Sequence, residues 1–115
     1  MNELEVLRDK LREFADERDW DQFHSPKNLS MALAVEASEL LEHFQWLTEA
    51  QSKHLSVDKR EAVAHEIADV LLYLVRIADK LDINLLEAAN KKLVLNAEKY
   101  PAEKARGNNK KYTEL

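Results

Sequence analysis

Two pairs of acidic side chains stand out: Glu36 and Glu39 in EASELLEHFQW, and Glu66 and Asp69 in EIADVLLYLVRIAD. Each pair has i, i+3 spacing, which on a helix sets both carboxylates on one side, a turn apart. At 100° per residue from Leu29, the side chains of Leu33, Leu40, Phe44 and Leu47 fall within about 60° of it, and Glu36 falls inside that apolar stripe at about −20°. Glu39 lies on its flank at about −80°, whereas Glu42 points away at about −140° and reads as an ordinary solvated acid. In the second segment Asp69 shares its edge with Tyr73, one turn later. The pattern thus turns two acidic pairs inward on two helices of one small bundle.

An ionised carboxylate buried without a partner is costly, and four together raise one another's pKa values. Such a group calls for Lys or Arg, for protons, or for metal ions. Arg76 is the only base within the apolar stretch Ile67 to Ala78. All-oxygen ligands suit a hard cation, Mg²⁺ with Mn²⁺ as substitute, better than zinc or copper. The structural alternative is a buried ion-pair network that fixes helix register. A di-iron bundle would pair its glutamates with Glu-x-x-His, which this chain lacks. His43 and His65 stand four residues after Glu39 and Glu61 and read as surface or hydrogen-bonded residues.

Composition narrows the chemistry further. The chain has 115 residues, one glycine, two prolines and no cysteine. One glycine excludes a P-loop or a dinucleotide fingerprint, so any phosphate chemistry must use side chains. The absence of cysteine removes disulfides, thiolate metal sites and thiol nucleophiles together. A net charge of −5, with acids and bases mixed along most of the chain, gives no field to attract nucleic acid. No segment approaches the roughly 20 apolar residues of a membrane span, and the N-terminus lacks a signal-like run. A soluble, cytoplasmic protein without nucleic-acid or membrane partners is expected.

So few turn residues point to an all-α chain, in which helices must position the acids. Leu4, Leu7, Leu11 and Phe14 predict a first helix from about Leu4 to Arg18. Ser25 as N-cap and Pro26 at the first position open a second, expected to reach Thr48. The polar run TEAQSKHLSV reads as irregular. Ser56 or Asp58 caps a third helix to about Leu81, and Asn84 with Glu87 opens a fourth that ends at Tyr100, before Pro101. The third is apolar nearly all round and is expected to be central and buried. Residues 1–100 thus form one all-α domain, and 101–115 an exposed tail.

The words around these acids resemble the MazG-like superfamily of all-α nucleoside triphosphate pyrophosphohydrolases, and within it the dCTP pyrophosphatase branch. The resemblance rests on FADERDWDQFHSPKNL, EASELLEHFQW, EIADVLLYLVRIAD and NAEKYPAEKARGNNKKYTEL, and it runs from about Leu7 to the C-terminus. It implies a four-helix bundle-like MazG-type fold that is oligomeric, a dimer or tetramer. It makes Glu36, Glu39, Glu66 and Asp69 the magnesium ligands of the catalytic centre, and Trp20 and Trp46 the aromatics that hold the base. Tyr73, Lys92 and Asn96 would line the nucleotide pocket or contact its phosphates. Lys99, Arg106, Lys111 and Tyr112 fall in a segment that closes over the triphosphate. One departure concerns base or sugar recognition: some close relatives have a histidine in the first helix where this chain has Leu11.

The reaction implied is hydrolysis of dCTP, or a C5-modified form, to dCMP and pyrophosphate, as sanitation of the nucleotide pool. A broad-specificity or dUTP-type house-cleaning pyrophosphatase is the nearest alternative. A non-catalytic helical interaction module, its acids paired with a partner's Lys or Arg, is the more distant one. On residue type alone, Trp20, Trp46 and Tyr73 would also serve as core or interface aromatics, and Lys92 and Asn96 have the i, i+4 spacing of any solvated helix face.

Overall fold

The computed structural model describes residues 1–115 as helices joined by short turns, without a strand. It divides into two compact units, Met1–Ile83 and Asn84–Leu115. The first holds α1 (Glu3–Glu17), α2 (Pro26–Glu42), the single turn α3 (Glu49–Ser52) and the long α4 (Val57–Lys80). The second holds α5 (Leu85–Lys99), the single turn α6 (Ala102–Ala105) and a final 3-10 turn, Tyr112–Glu114.

Caps set most of the helix starts. Asn2, Ser25, Ser56 and Asn84 each accept, through the side chain, a backbone N–H of the first turn, on Glu5, Asn28, Lys59 and Glu87 respectively. Each bond satisfies one of the amides that a helix leaves without a partner, worth about 1 kcal/mol. Two helix ends differ from what a glycine search would find. Asp19 and Asp82 take φ values of 53° and 54°, the left-handed conformation that usually calls for glycine. The following amides, of Trp20 and Ile83, reach back to the carbonyls of Ala15 and Ala78 at 2.9 and 2.8 Å, which closes α1 and α4. Aspartate tolerates this region better than most residues, so α1 stops without Gly or Pro.

Three expectations need correction. The second helix ends at Glu42, not Thr48, because the amides of His43, Phe44 and Leu47 bond three residues back in a tighter run of turns. TEAQSKHLSV is not wholly irregular: Thr48 and Gln51 form a reciprocal capping box that opens α3. The pattern T-x-x-Q carries that signal. Finally, α4 is not buried all round within the chain. α2 packs along it and α1 crosses it more lightly, and the buried core is Ala15, Leu29, Val63, Val75 and Ala78. Ile67, Leu71 and Leu74, at i, i+4 and i+7, form an exposed apolar row. A helix packed on one face by two neighbours leaves the opposite face uncovered. No helix is long and apolar enough to cross a membrane.

Candidate active site

The packing of α2 on α4 brings Glu36, Glu39 and Glu66 together: one carboxylate oxygen of each lies within 4.8 Å of the others. All three side chains are half-buried, and Oε2 of both Glu36 and Glu66 is buried with no hydrogen-bond partner. An oxygen in that position costs about 1–3 kcal/mol, more when charged. Burial first, then the carboxyls of Glu66 and Glu39 that can share its proton, then the charges of Glu39 and Asp69, push the Glu36 carboxyl up to about 7. Asp69 stands outside the tightest three but borders them. Its charge and that of Glu36, after burial itself, raise the Tyr73 hydroxyl, which places that half-buried ring beside the acids. Glu42 is exposed, as its angle on the helix predicts.

No ion pair of the chain involves any of these four acids. Arg76, the one base in the apolar stretch, points its guanidinium elsewhere: to Asp21 at 2.6 Å, Asp79 at 3.4 Å and Nδ1 of His24 at 3.1 Å. Within the chain, the ion-pair alternative therefore lacks its cation. Close carboxylates with unpartnered oxygens and no base among them fit a hard divalent cation, which would supply the missing positive charge. Glu36, Glu39 and Glu66 could hold it, with Asp69 beside them.

The two tryptophans are placed differently. Trp20 follows the left-handed Asp19 and precedes the 3-10 turn Asp21–Phe23. Its ring meets Phe14 and His24 edge-on, with centroids 5.7 and 6.5 Å away, and it stays 45% exposed. Trp46 lies beyond the end of α2, in the turns that follow, and is 86% exposed. It is therefore not at the end of the helix that carries Glu36, because that helix stops four residues sooner.

In the second unit, Lys92, Asn96 and Lys99 share one face of α5, at i, i+4 and i+7. Lys99 Nζ sits over the Tyr112 ring, 5.1 Å from its centroid, and Tyr100 meets the same ring edge-on at 6.2 Å. The tail is thus tied back on α5 by a cation and an aromatic rather than left without contacts. Arg106 caps α6 and Lys111 precedes the final turn, both exposed.

Sequence reasoning missed a second charged group, built on Arg76. Arg12 of α1 donates to Asp79 through both Nε, at 2.8 Å, and a terminal nitrogen. Lys80 pairs with Asp21. Apart from Arg76 with Asp79, these partners lie 52 to 67 residues apart in sequence, beyond the reach of any periodic pattern. A lone Arg in an apolar helix was the signal available.

The model of the MazG-like family matches residues 31–115. The chain is 45% identical to dCTP pyrophosphatase 1 of Homo sapiens and 42% identical to that of Rattus norvegicus. In both cases the match covers 97% of this chain and 67% of the relative. Among solved structures it resembles a pyrophosphatase of Archaeoglobus fulgidus, with a TM-score of 0.79 and 42% identity over 88% of this chain and 94% of that one.

Proposed function

The chain belongs to the MazG-like family, and from that membership we propose that it is a nucleoside triphosphate pyrophosphohydrolase, converting dCTP or a C5-modified dCTP to dCMP and pyrophosphate. One observation carries the reading: three carboxylates meet with two buried, unpartnered oxygens and no base among them, in a chain similar throughout to dCTP pyrophosphatases. Glu36, Glu39, Glu66 and Asp69 would hold Mg²⁺, or Mn²⁺ in its place. Bound there, the cation would reverse the local sign for an anionic triphosphate and offset charge on the departing pyrophosphate.

The chain's own groups do the rest. One of these carboxylates accepts the proton of the attacking water. The water oxygen bonds to phosphorus as the bond between the α and β phosphates breaks. Glu36, whose carboxyl is pushed up to about 7, would be kept in its ionised form by a cation held there. Trp20 and Trp46 hold the base, and Tyr73 lines the pocket. Lys92, Asn96, Lys99, Arg106, Lys111 and Tyr112 supply contacts to the nucleotide, the cations among them suiting phosphate oxygens. We also assign residues 1–100 to the pyrophosphohydrolase domain and 101–115 to its tail. The exposed row Ile67, Leu71 and Leu74 supports a homo-oligomer, dimer or tetramer, since a row of that kind favours burial against another surface.

The test is a panel of deoxynucleoside and ribonucleoside triphosphates with Mg²⁺, followed by pyrophosphate release. dCTP and its C5-modified forms should turn over fastest, and chelation should stop the reaction. Preference for dUTP, or none among bases, would move the reading to the house-cleaning alternatives. Inertness of every triphosphate would leave the non-catalytic module.

A further inference from the structure

We propose that Arg76 is a positioning residue for base recognition: through His24 and Asp21 it fixes the short loop that presents Trp20. This rests on the reading above, in which Trp20 holds the nucleotide base.

Arg76 is 5% exposed, yet each nitrogen of its guanidinium has an assigned partner. Nε donates to His24 Nδ1, so that ring nitrogen must be the bare acceptor and the imidazole proton must sit on Nε2. One terminal nitrogen donates to Asp21. Asp21 opens the 3-10 turn that follows Trp20, and His24 closes it. Arg76 thus grips both ends of the turn. Its remaining nitrogen faces Asp79, which Arg12 of α1 also holds in a forked contact, so the grip is anchored to α1 and α4 together.

The effect on Trp20 is direct. Its ring meets both Phe14 and His24 edge-on. Phe14 is itself covered by the Arg18 guanidinium, 3.7 Å from the ring centroid, and sits on the rigid α1. His24 lies in a loop, and Arg76 orients its imidazole. Without Arg76 the imidazole that meets Trp20 loses the hydrogen bond that orients it. Glu66, Asp69, Tyr73 and Arg76 also lie along one strip of α4, with Arg76 about 15 Å beyond Glu66 at 1.5 Å per residue. One helix therefore sets the spacing between the acids proposed for the triphosphate end and the loop proposed for the base.

The experiment uses the full chain carrying 5-fluorotryptophan, with the two ¹⁹F resonances assigned through Trp46→Phe. Steady-state kinetics with dCTP are measured for Arg76→Gln, Arg76→Lys, Trp20→Ala and the double variant Arg76→Gln/Trp20→Ala. Arg76→Gln should raise KM about tenfold, the size of one lost charge-assisted hydrogen bond, with kcat within about twofold. Its Trp20 resonance should shift or broaden while that of Trp46 stays. Arg76→Lys keeps the charge but not the fork, and should fall between. In the Trp20→Ala background, Arg76→Gln should add nothing to KM.

An unchanged KM and Trp20 resonance in Arg76→Gln would overturn the proposal, as would an equal rise in KM with and without Trp20. If Trp20→Ala itself leaves KM unchanged, Trp20 does not hold the base, and both readings fall. Lys80 still pairs with Asp21, and Arg12 with Asp79, when Arg76 is replaced, so neither acid is stranded. Should Arg76→Gln nevertheless fail to fold, Asp21→Asn and His24→Asn break the same link from the loop. They must then show the KM rise and the ¹⁹F change, and their failure to do so would overturn it.

Discussion

Along one strip of α4, Glu66 and Asp69 stand with Glu36 and Glu39 and no base among them, whereas farther along the same strip Arg76 is met by Asp21, Asp79 and His24. Both groups are partly or fully removed from water, so both carry a desolvation cost. The second offsets it internally: Arg12 and Lys80 supply the remaining positive charges. The first leaves two oxygens unpartnered and lifts the Glu36 carboxyl to about 7. A satisfied cluster is complete without a ligand and serves the architecture. One left unsatisfied gains most when something binds, and that asymmetry separates a site from a strut.

The sharpest way to break the comparison is to neutralise one acid. Glu36→Gln should lower turnover more than about 100-fold, since even the outer-shell partners of metal ligands are worth 10–100-fold. It should leave helical circular dichroism unchanged and the melting temperature equal or higher, because repulsion among acids is relieved. Full activity in Glu36→Gln would end the metal assignment. Mg²⁺ offers a linked check: at 100 times its Kd it should stabilise the wild-type chain by about 2.7 kcal/mol, and Glu36→Gln far less. The opposite cluster should respond in reverse. Asp79→Ala strands the buried guanidinium of Arg76 against one fewer carboxylate and should cost about 3 kcal/mol in a denaturant melt, while the Mg²⁺ response persists. Loss of that response in Asp79→Ala would mean that the two clusters are not separate devices.

What separates the clusters also governs how much could be read from sequence. The acids were legible because each pair lies on one helix: period alone turned Glu36 inward and Glu42 outward. The caps at Ser25, Ser56 and Asn84 were legible too, being local contacts over three residues. The end of α2 was not, since LLEHFQWL keeps its apolar spacing after the backbone tightens at His43. The roles of Asp19 and Asp82 were hidden because aspartate stands where glycine would have given the signal. The Arg76 network was out of reach, because a pairing across 52 or 55 residues depends on how helices pack. Periodicity assigns a face to each side chain, but only packing supplies its partner.

The smallest effects lie in pH, where the two clusters should pull stability in opposite directions. The Glu36 carboxyl is raised in the folded chain, from 4.5 to about 7. Between those values the folded state holds more protons than the unfolded one, so this group favours folding at lower pH and the gain is lost as pH rises through about 7. His24 is lowered from 6.5, by burial and then by the Arg76 and Lys80 charges, while Asp21 and Asp79 are lowered from 3.8, by Lys80 and Arg12 above all. Their contributions are complete above those ordinary values and are lost as pH falls through the folded ones. Thermal melts from pH 8 to 3 with a chelator present would separate the two. Glu36→Gln should remove the gain on acidification below 7, and His24→Asn the loss that begins below 6.5. Identical pH profiles for the two variants would show that the acids and the Arg76 network do not carry opposed proton linkages, and the distinction between site and strut would then rest on Mg²⁺ alone.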